Sequence, residues 1–74
     1  LDPIAAAEER LLMGLRTYEG VGWNEVAALD LTADSAVIRA LVAQGLLIAD
    51  DRLRPTPRGR LVLDRVTIEL ATAQ

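Results

Sequence analysis

Thr56-Pro57-Arg58-Gly59-Arg60-Leu61 follows a short apolar stretch and opens an apolar run that reaches Leu70. Thr56 suits a helix N-cap. Pro57 suits the first turn, where a backbone N–H would have no intrahelical acceptor and proline's lack of one costs nothing. Just upstream, Gly45-Leu46-Leu47-Ile48 and the pair Asp50-Asp51 predict two short strands, Leu46 to Ala49 and Arg52 to Arg54, around a turn. That turn has no glycine, so its chemistry does not set the hairpin register. The closing helix is expected from Pro57 to Ala71, fraying into Ala73-Gln74.

Working back toward the N-terminus, Asp2 is a cap and Pro3 a first-turn residue for a helix spanning residues 3–18. Ile4, Ala7, Leu11, Leu15 and Tyr18 recur there at helical spacing, with Leu12 at the edge of the stripe. Gly20 and Gly22 interrupt it, and Trp23 to Leu29 predicts a short second helix with Val26, Ala27 and Leu29 turned inward. Thr32, or alternatively Asp30, caps a third helix that continues to Gln44. Gly45 then stops it in the left-handed conformation that is free of steric penalty for glycine. The order helix, helix, helix, β-hairpin, helix is mainly α and winged-helix-like, and one small domain occupies residues 1–74.

Composition narrows the chemistry. An apolar fraction of 51% beside 26% charged residues belongs to a folded globular chain. With neither cysteine nor histidine, the sequence lacks disulfides, the usual nitrogen and sulfur ligands of zinc, and the commonest acid–base catalyst near neutral pH. There is no GxGxxG, phosphate-binding loop or nucleophile elbow. Asp50 and Asp51 adjoin in a turn where neighbours point apart, and Glu8 and Glu9 are ordinary helix residues. The fragment is therefore expected to catalyse nothing. No apolar run approaches the ~20 residues that cross a bilayer, so the chain is expected to be soluble and cytoplasmic. Starting at Leu1 rather than methionine, it reads as a piece of something longer.

Several side chains are left over once a core is assigned. On the first helix, at about 100° per residue, Met13 lies opposite the apolar stripe with Arg16 beside it. On the last helix Val62, Leu63, Val66 and Leu70 share a face while Leu61 and Ile68, seven apart, point nearly the other way. Either the hairpin or the first helix wraps that second side, or a partner surface is missing; burial would be worth about 1.5 to 3 kcal/mol for each residue. The third helix, with Val37 and Leu41 inward, presents Ser35, Ala36, Arg39, Val42 and Ala43. Base readout wants several Arg, Lys, Asn or Gln there, and a single arginine among small apolar residues suits protein packing better.

Arg52, Arg54, Arg58 and Arg60 place four of the eight arginines within nine residues. Such a wing can grip phosphate or carboxylate, or it can be a solvated edge that discourages strand pairing. The net charge of −3 argues against a phosphate partner, whose nonspecific affinity comes from cationic contacts that release counterions.

The segments Glu9-Arg10-Leu11-Leu12-Met13-Gly14-Leu15-Arg16-Thr17-Tyr18-Glu19-Gly20-Val21, Leu41-Val42-Ala43-Gln44-Gly45-Leu46-Leu47 and Leu53-Arg54-Pro55-Thr56-Pro57-Arg58-Gly59-Arg60-Leu61-Val62-Leu63-Asp64-Arg65-Val66 resemble the C-terminal domain of oxygen-independent coproporphyrinogen III oxidase-like proteins, the HemN/HemW type of radical-SAM protein. The Gly-Leu-Arg of the first helix followed by Gly20-Val21 is the more discriminating part. Pro55 stands where the pattern usually has leucine, which weakens the last ladder position because proline cannot donate.

The resemblance implies a parent whose radical-SAM barrel holds a 4Fe-4S cluster and S-adenosylmethionine and acts on a porphyrin or carries heme. It implies that neither cofactor is bound by this segment, and that the barrel is the domain's partner. Oxidases and heme chaperones share the pattern, so the segment does not separate them. Met13, Arg16, Arg39, Val42, Leu61 and Ile68 are the candidate docking residues. Heme ligation by this segment is disfavoured because Tyr18 falls on the expected core stripe and Met13 lacks a second ligand. The competing readings are a free-standing winged-helix DNA-binding regulator and a protein adaptor that dimerises.

Overall fold

A computed structural model describes residues 2–72. The Asp2 carboxylate accepts from the Ile4 N–H at 3.0 Å and Pro3 takes the first helical position, so α1 (Pro3–Gly14) starts where its capping chemistry directs. It ends four residues earlier than the stripe predicts. The Thr17 hydroxyl donates to the Gly14 carbonyl at 2.8 Å and accepts from the Gly20 N–H at 3.2 Å, bending the chain back before Tyr18. Ala7, Leu11 and Leu15 are buried as expected, but Tyr18 is 88% exposed and Ile4 44%. Tyr18 belongs to the turn, and Ile4 lines an open depression with Leu29, Leu31 and Val37.

The chain then forms a strand that the sequence did not announce, β1 (Val21–Gly22). Trp23–Leu29 is helical but wound as a 3-10 helix, and the Glu25 carboxylate accepts from the Gly22 N–H at 2.8 Å at its start. That winding explains one correction. Residues three apart share a face of a 3-10 helix, so Trp23, Val26 and Leu29 turn inward while Ala27 is exposed, contrary to expectation.

The third helix, α2 (Ala36–Ala43), begins later than a cap at Thr32 or Asp30 would have it. Thr32 instead organises a turn, its hydroxyl accepting from Asp34 N–H and its own N–H donating to the Ser35 hydroxyl at 2.9 Å. Ser35 occupies the cap position. Ile38 and Leu41 are buried while Val37 is half-buried, which turns the inward stripe by one residue at its start. At the other end Gly45 adopts φ +76°, as expected. Its N–H bonds Val42 and that of Leu46 bonds Leu41, which satisfies carbonyls that the helix end leaves open.

β2 (Leu47–Ala49) and β3 (Arg52–Pro55) form the hairpin, and β1 pairs on the far side of β3 to give an antiparallel sheet of order β1-β3-β2. Leu53 pairs with Val21 on one edge and Ala49 on the other. Pro55 pairs with Leu47, and the donor it lacks is supplied one residue later by Thr56 N–H to Leu46 at 3.0 Å.

The closing helix is two helices, α3 (Pro57–Leu61) and α4 (Leu63–Thr72), broken at Val62 with φ −125° and ψ 35°. The Thr56 hydroxyl accepts from Gly59 N–H at 2.9 Å and donates to the Gly45 carbonyl at 2.6 Å. Gly59 lies directly on the Leu46 backbone, where a Cβ would collide with the Leu46 carbonyl oxygen. After the break, α4 buries Val66 and Leu70 and packs on α1 and α2. The fraying expected at Ala73-Gln74 lies outside the described residues. The result is a winged-helix-like domain with an aliphatic core centred on Leu11, Leu15, Ile38, Leu41, Leu53 and Leu70.

Candidate functional site

Two kinds of surface remain after the core is filled, one apolar and one cationic. Met13 is 65% exposed on α1, beside a shallow groove that Gly14, Thr17, Val21 and Arg52 also line. Arg16 is exposed in the turn that follows α1, and Arg39 and Val42 stand on the outward face of α2 with Ala36 and Ala43. Leu61 is 86% exposed at the end of α3 and Ile68 63% exposed on α4. The hairpin and α1 therefore do not cover the second side of the closing segment. The break at Val62 also interrupts the helix between Leu61 and Ile68, so their seven-residue spacing does not by itself place them on one face. These six candidates are spread over four helices and the turn after α1, and among the described residues the one hydrogen bond between them is local, from the Arg16 N–H to the Met13 carbonyl at 3.2 Å.

The arginine-rich wing is mostly engaged. Arg52 donates through Nε to the Glu19 carbonyl at 2.8 Å and through a terminal nitrogen to the Gly20 carbonyl at 3.3 Å, with Glu25 at 3.7 Å. It thereby ties the hairpin to the loop after α1 and to the start of the 3-10 helix. Gly20 sits at φ +71° so close to Leu53 that a side chain would strike the Leu53 carbonyl, which lets Arg52 reach across. Arg54 pairs with Asp50 at 2.7 Å, and the Trp23 indole donates to the Asp50 carbonyl at 2.9 Å. Arg60 donates to the Thr17 carbonyl at 2.8 Å and lies 4.6 Å over the Tyr18 ring. Arg58 alone of the four has no ion pair or hydrogen bond among the described residues.

Asp50 has a perturbed affinity for protons. The Arg52 N–H donating to it at 3.2 Å, with the Arg54 guanidinium close by, lowers its pKa below the ordinary aspartate value, outweighing an opposing desolvation. This is a turn lock. An acid held ionised by its own hairpin is a poor proton donor or acceptor for a substrate.

A four-iron cluster is ligated by thiolates, and this chain has none. Among the described residues no three carboxylates gather to hold a metal, and no helix is long and apolar enough to cross a membrane. The residues present do not fit the cluster. Tyr18, taken as core from its spacing, is a surface residue paired with Arg60. The missed signal was Thr17, whose hydroxyl can close a turn on Gly14, together with Gly20 three residues on.

A family model described as the HemN C-terminal domain matches residues 1–62 of the chain. No curated protein and no solved structure matches it.

Proposed function

Because the chain belongs to the HemN C-terminal domain family, we propose that it is a noncatalytic domain that braces the substrate side of a radical-SAM barrel in a coproporphyrinogen III oxidase-like parent. The parent is an oxidase or a heme chaperone, and its barrel carries the 4Fe-4S cluster and S-adenosylmethionine. The observation that supports docking most strongly is the large apolar side chains left uncovered after the core is complete, with Met13, Leu61 and Ile68 foremost. Exposed aliphatics scattered singly are ordinary on a protein surface. Several of them on a 74-residue domain of a family named for the end of a larger protein favour an owner for that surface.

Arg16, Arg39 and Val42 complete the candidate contact set, with the arginines supplying polar contacts at the rim. The domain's part in the parent's reaction is to hold shape and exclude water, since its own side chains offer no cluster ligand and no poised acid or base. The parent chain with Met13→Glu, Leu61→Glu and Ile68→Glu tests docking. Small-angle scattering of the variant is expected to show a larger radius of gyration than the unaltered parent, with the domain still folded. An unchanged radius overturns the reading. Reconstitution of this 74-residue chain with iron and sulfide is expected to give no cluster absorption.

A DNA-binding role is less well supported. The outward face of α2 carries one arginine, and Arg52 and Arg54 spend their guanidinium groups on the domain itself. Strongly salt-dependent, sequence-selective gel shifts would reverse that ranking.

A further inference from the structure

The turn after α1 and the exposed side of α3 form one continuous strip whose chemistry goes beyond leftover apolar area. Gly59 fixes the inner side of α3 against Leu46. At about 100° per residue the opposite side is Leu61, flanked by Arg58 on one side and Arg60 on the other. Arg60 carries the strip onward to Tyr18, over whose ring it lies at 4.6 Å. Tyr18 and Leu61 are the two most exposed large apolar side chains among the described residues. Neither Arg58 nor Arg60 has a carboxylate partner there, although the chain as a whole is acidic, with 11 carboxylates against 8 arginines.

We infer that the Tyr18–Arg60–Leu61–Arg58 strip docks on a protein surface with an apolar centre and a carboxylate rim, carried by the catalytic portion of the parent chain. This rests on the docking function proposed above and names the partner's chemistry and the edge that meets it. Covering Leu61 also strips water from the two guanidinium groups beside it, and a buried cation is tolerated only when paired and hydrogen-bonded. The partner therefore has to bring acceptors in the forked geometry that guanidinium matches, as carboxylates do. Phosphate would serve the arginines equally well, but it offers nothing to Leu61 or to the Tyr18 ring. The domain's own negative charge also opposes a nucleic-acid backbone. Arg60 already holds the Thr17 carbonyl at 2.8 Å, so this half of the strip is ordered before any partner arrives and loses less freedom on docking.

Hydroxyl-radical footprinting of the full parent chain tests this, because Tyr18, Leu61, Met13 and Ile68 each report their own exposure. Tyr18 and Leu61 are expected to be protected in the unaltered protein. Arg58→Glu, a change at a side chain with no partner among the described residues, is expected to speed Tyr18 and Leu61 oxidation about tenfold by placing like charges together, and Arg58→Lys to leave most of the protection. If Tyr18 and Leu61 oxidise freely while Met13 or Ile68 is protected, docking stands by another face and the strip assignment fails. If all four oxidise as free side chains, docking itself fails. Protection that appears only with self-association on raising the concentration, or only with added DNA, assigns the strip to a second copy or to phosphate and also overturns the inference.

Discussion

The hairpin edge and the outer sides of α1 and α4 use polar chemistry in opposite ways. At the hairpin, Arg52, Arg54, Trp23 and Asp50 reach carbonyls, carboxylates and one another, so a stretch that reads as a charged binding surface is largely spent on holding three short strands and a loop together. On α1 and α4, Met13 and Ile68 face outward with apolar side chains that hold nothing down. Density of arginine by itself is thus a poor guide to where this molecule meets others, since Arg52 and Arg54 are spent on internal ties while Arg58 has no partner among the described residues. A carbonyl within reach converts a cation into a tie, and an uncovered aliphatic side chain has no such internal use.

Substitutions can break that contrast, beginning with the element both regions share. Leu53 is fully buried at the centre of the sheet, and Leu53→Ala is expected to cost about 4 kcal/mol, a large part of the stability of so small a domain, read from the urea midpoint. Gly59→Ala is expected to cost about 3 kcal/mol, because the new Cβ meets backbone at Leu46 and backbone gives way poorly. The same denaturation series reads that loss.

Smaller effects separate the two regions. Arg52→Met removes the ties to Glu19 and Gly20 while keeping much of the side chain's length, with an expected loss of about 1 kcal/mol and faster amide exchange at Gly20 to Gly22. If stability and exchange are both unchanged, the hairpin is not stapled as described. Ile68→Ser, by contrast, is expected to change stability by less than about 0.5 kcal/mol. A larger loss would show that the outer side of α4 is held after all.

Acid gives the smallest separation. Asp50 has its folded-state pKa below the ordinary value, so its contribution is fully present above the unfolded value of about 4 and is lost as pH falls through the lower folded value. Asp50→Asn is expected to flatten the acid limb of the stability profile in that window. The Asp50 side-chain titration followed by NMR checks the direction of the shift.

The helical parts of the fold were largely readable because each had a local cause. Asp2 with Pro3, Thr56 with Pro57, and Gly45 marked ends by capping and left-handed geometry that needs no distant partner. β1 was invisible for the opposite reason: two residues make no period, and Val21 becomes a strand by pairing with Leu53, far along the chain. The 3-10 winding at Trp23 misled a reading at α-helical spacing about Ala27. The expected docking residues were found on the surface, while Tyr18, whose spacing continued the stripe, was removed from it by the Thr17 turn.

Amino-acid content and local signals were enough for the helix starts at Pro3 and Pro57, the hairpin, the aliphatic core and a chain without thiol or imidazole chemistry, because capping depends on nearest neighbours. Tertiary packing decided the third strand, the break at Val62, the use of Arg52 and Arg54 as internal ties, and the joining of Tyr18 to Arg60. Each of those depends on which carbonyl, ring or backbone lies within a few ångströms, and that proximity exists only once distant segments have met.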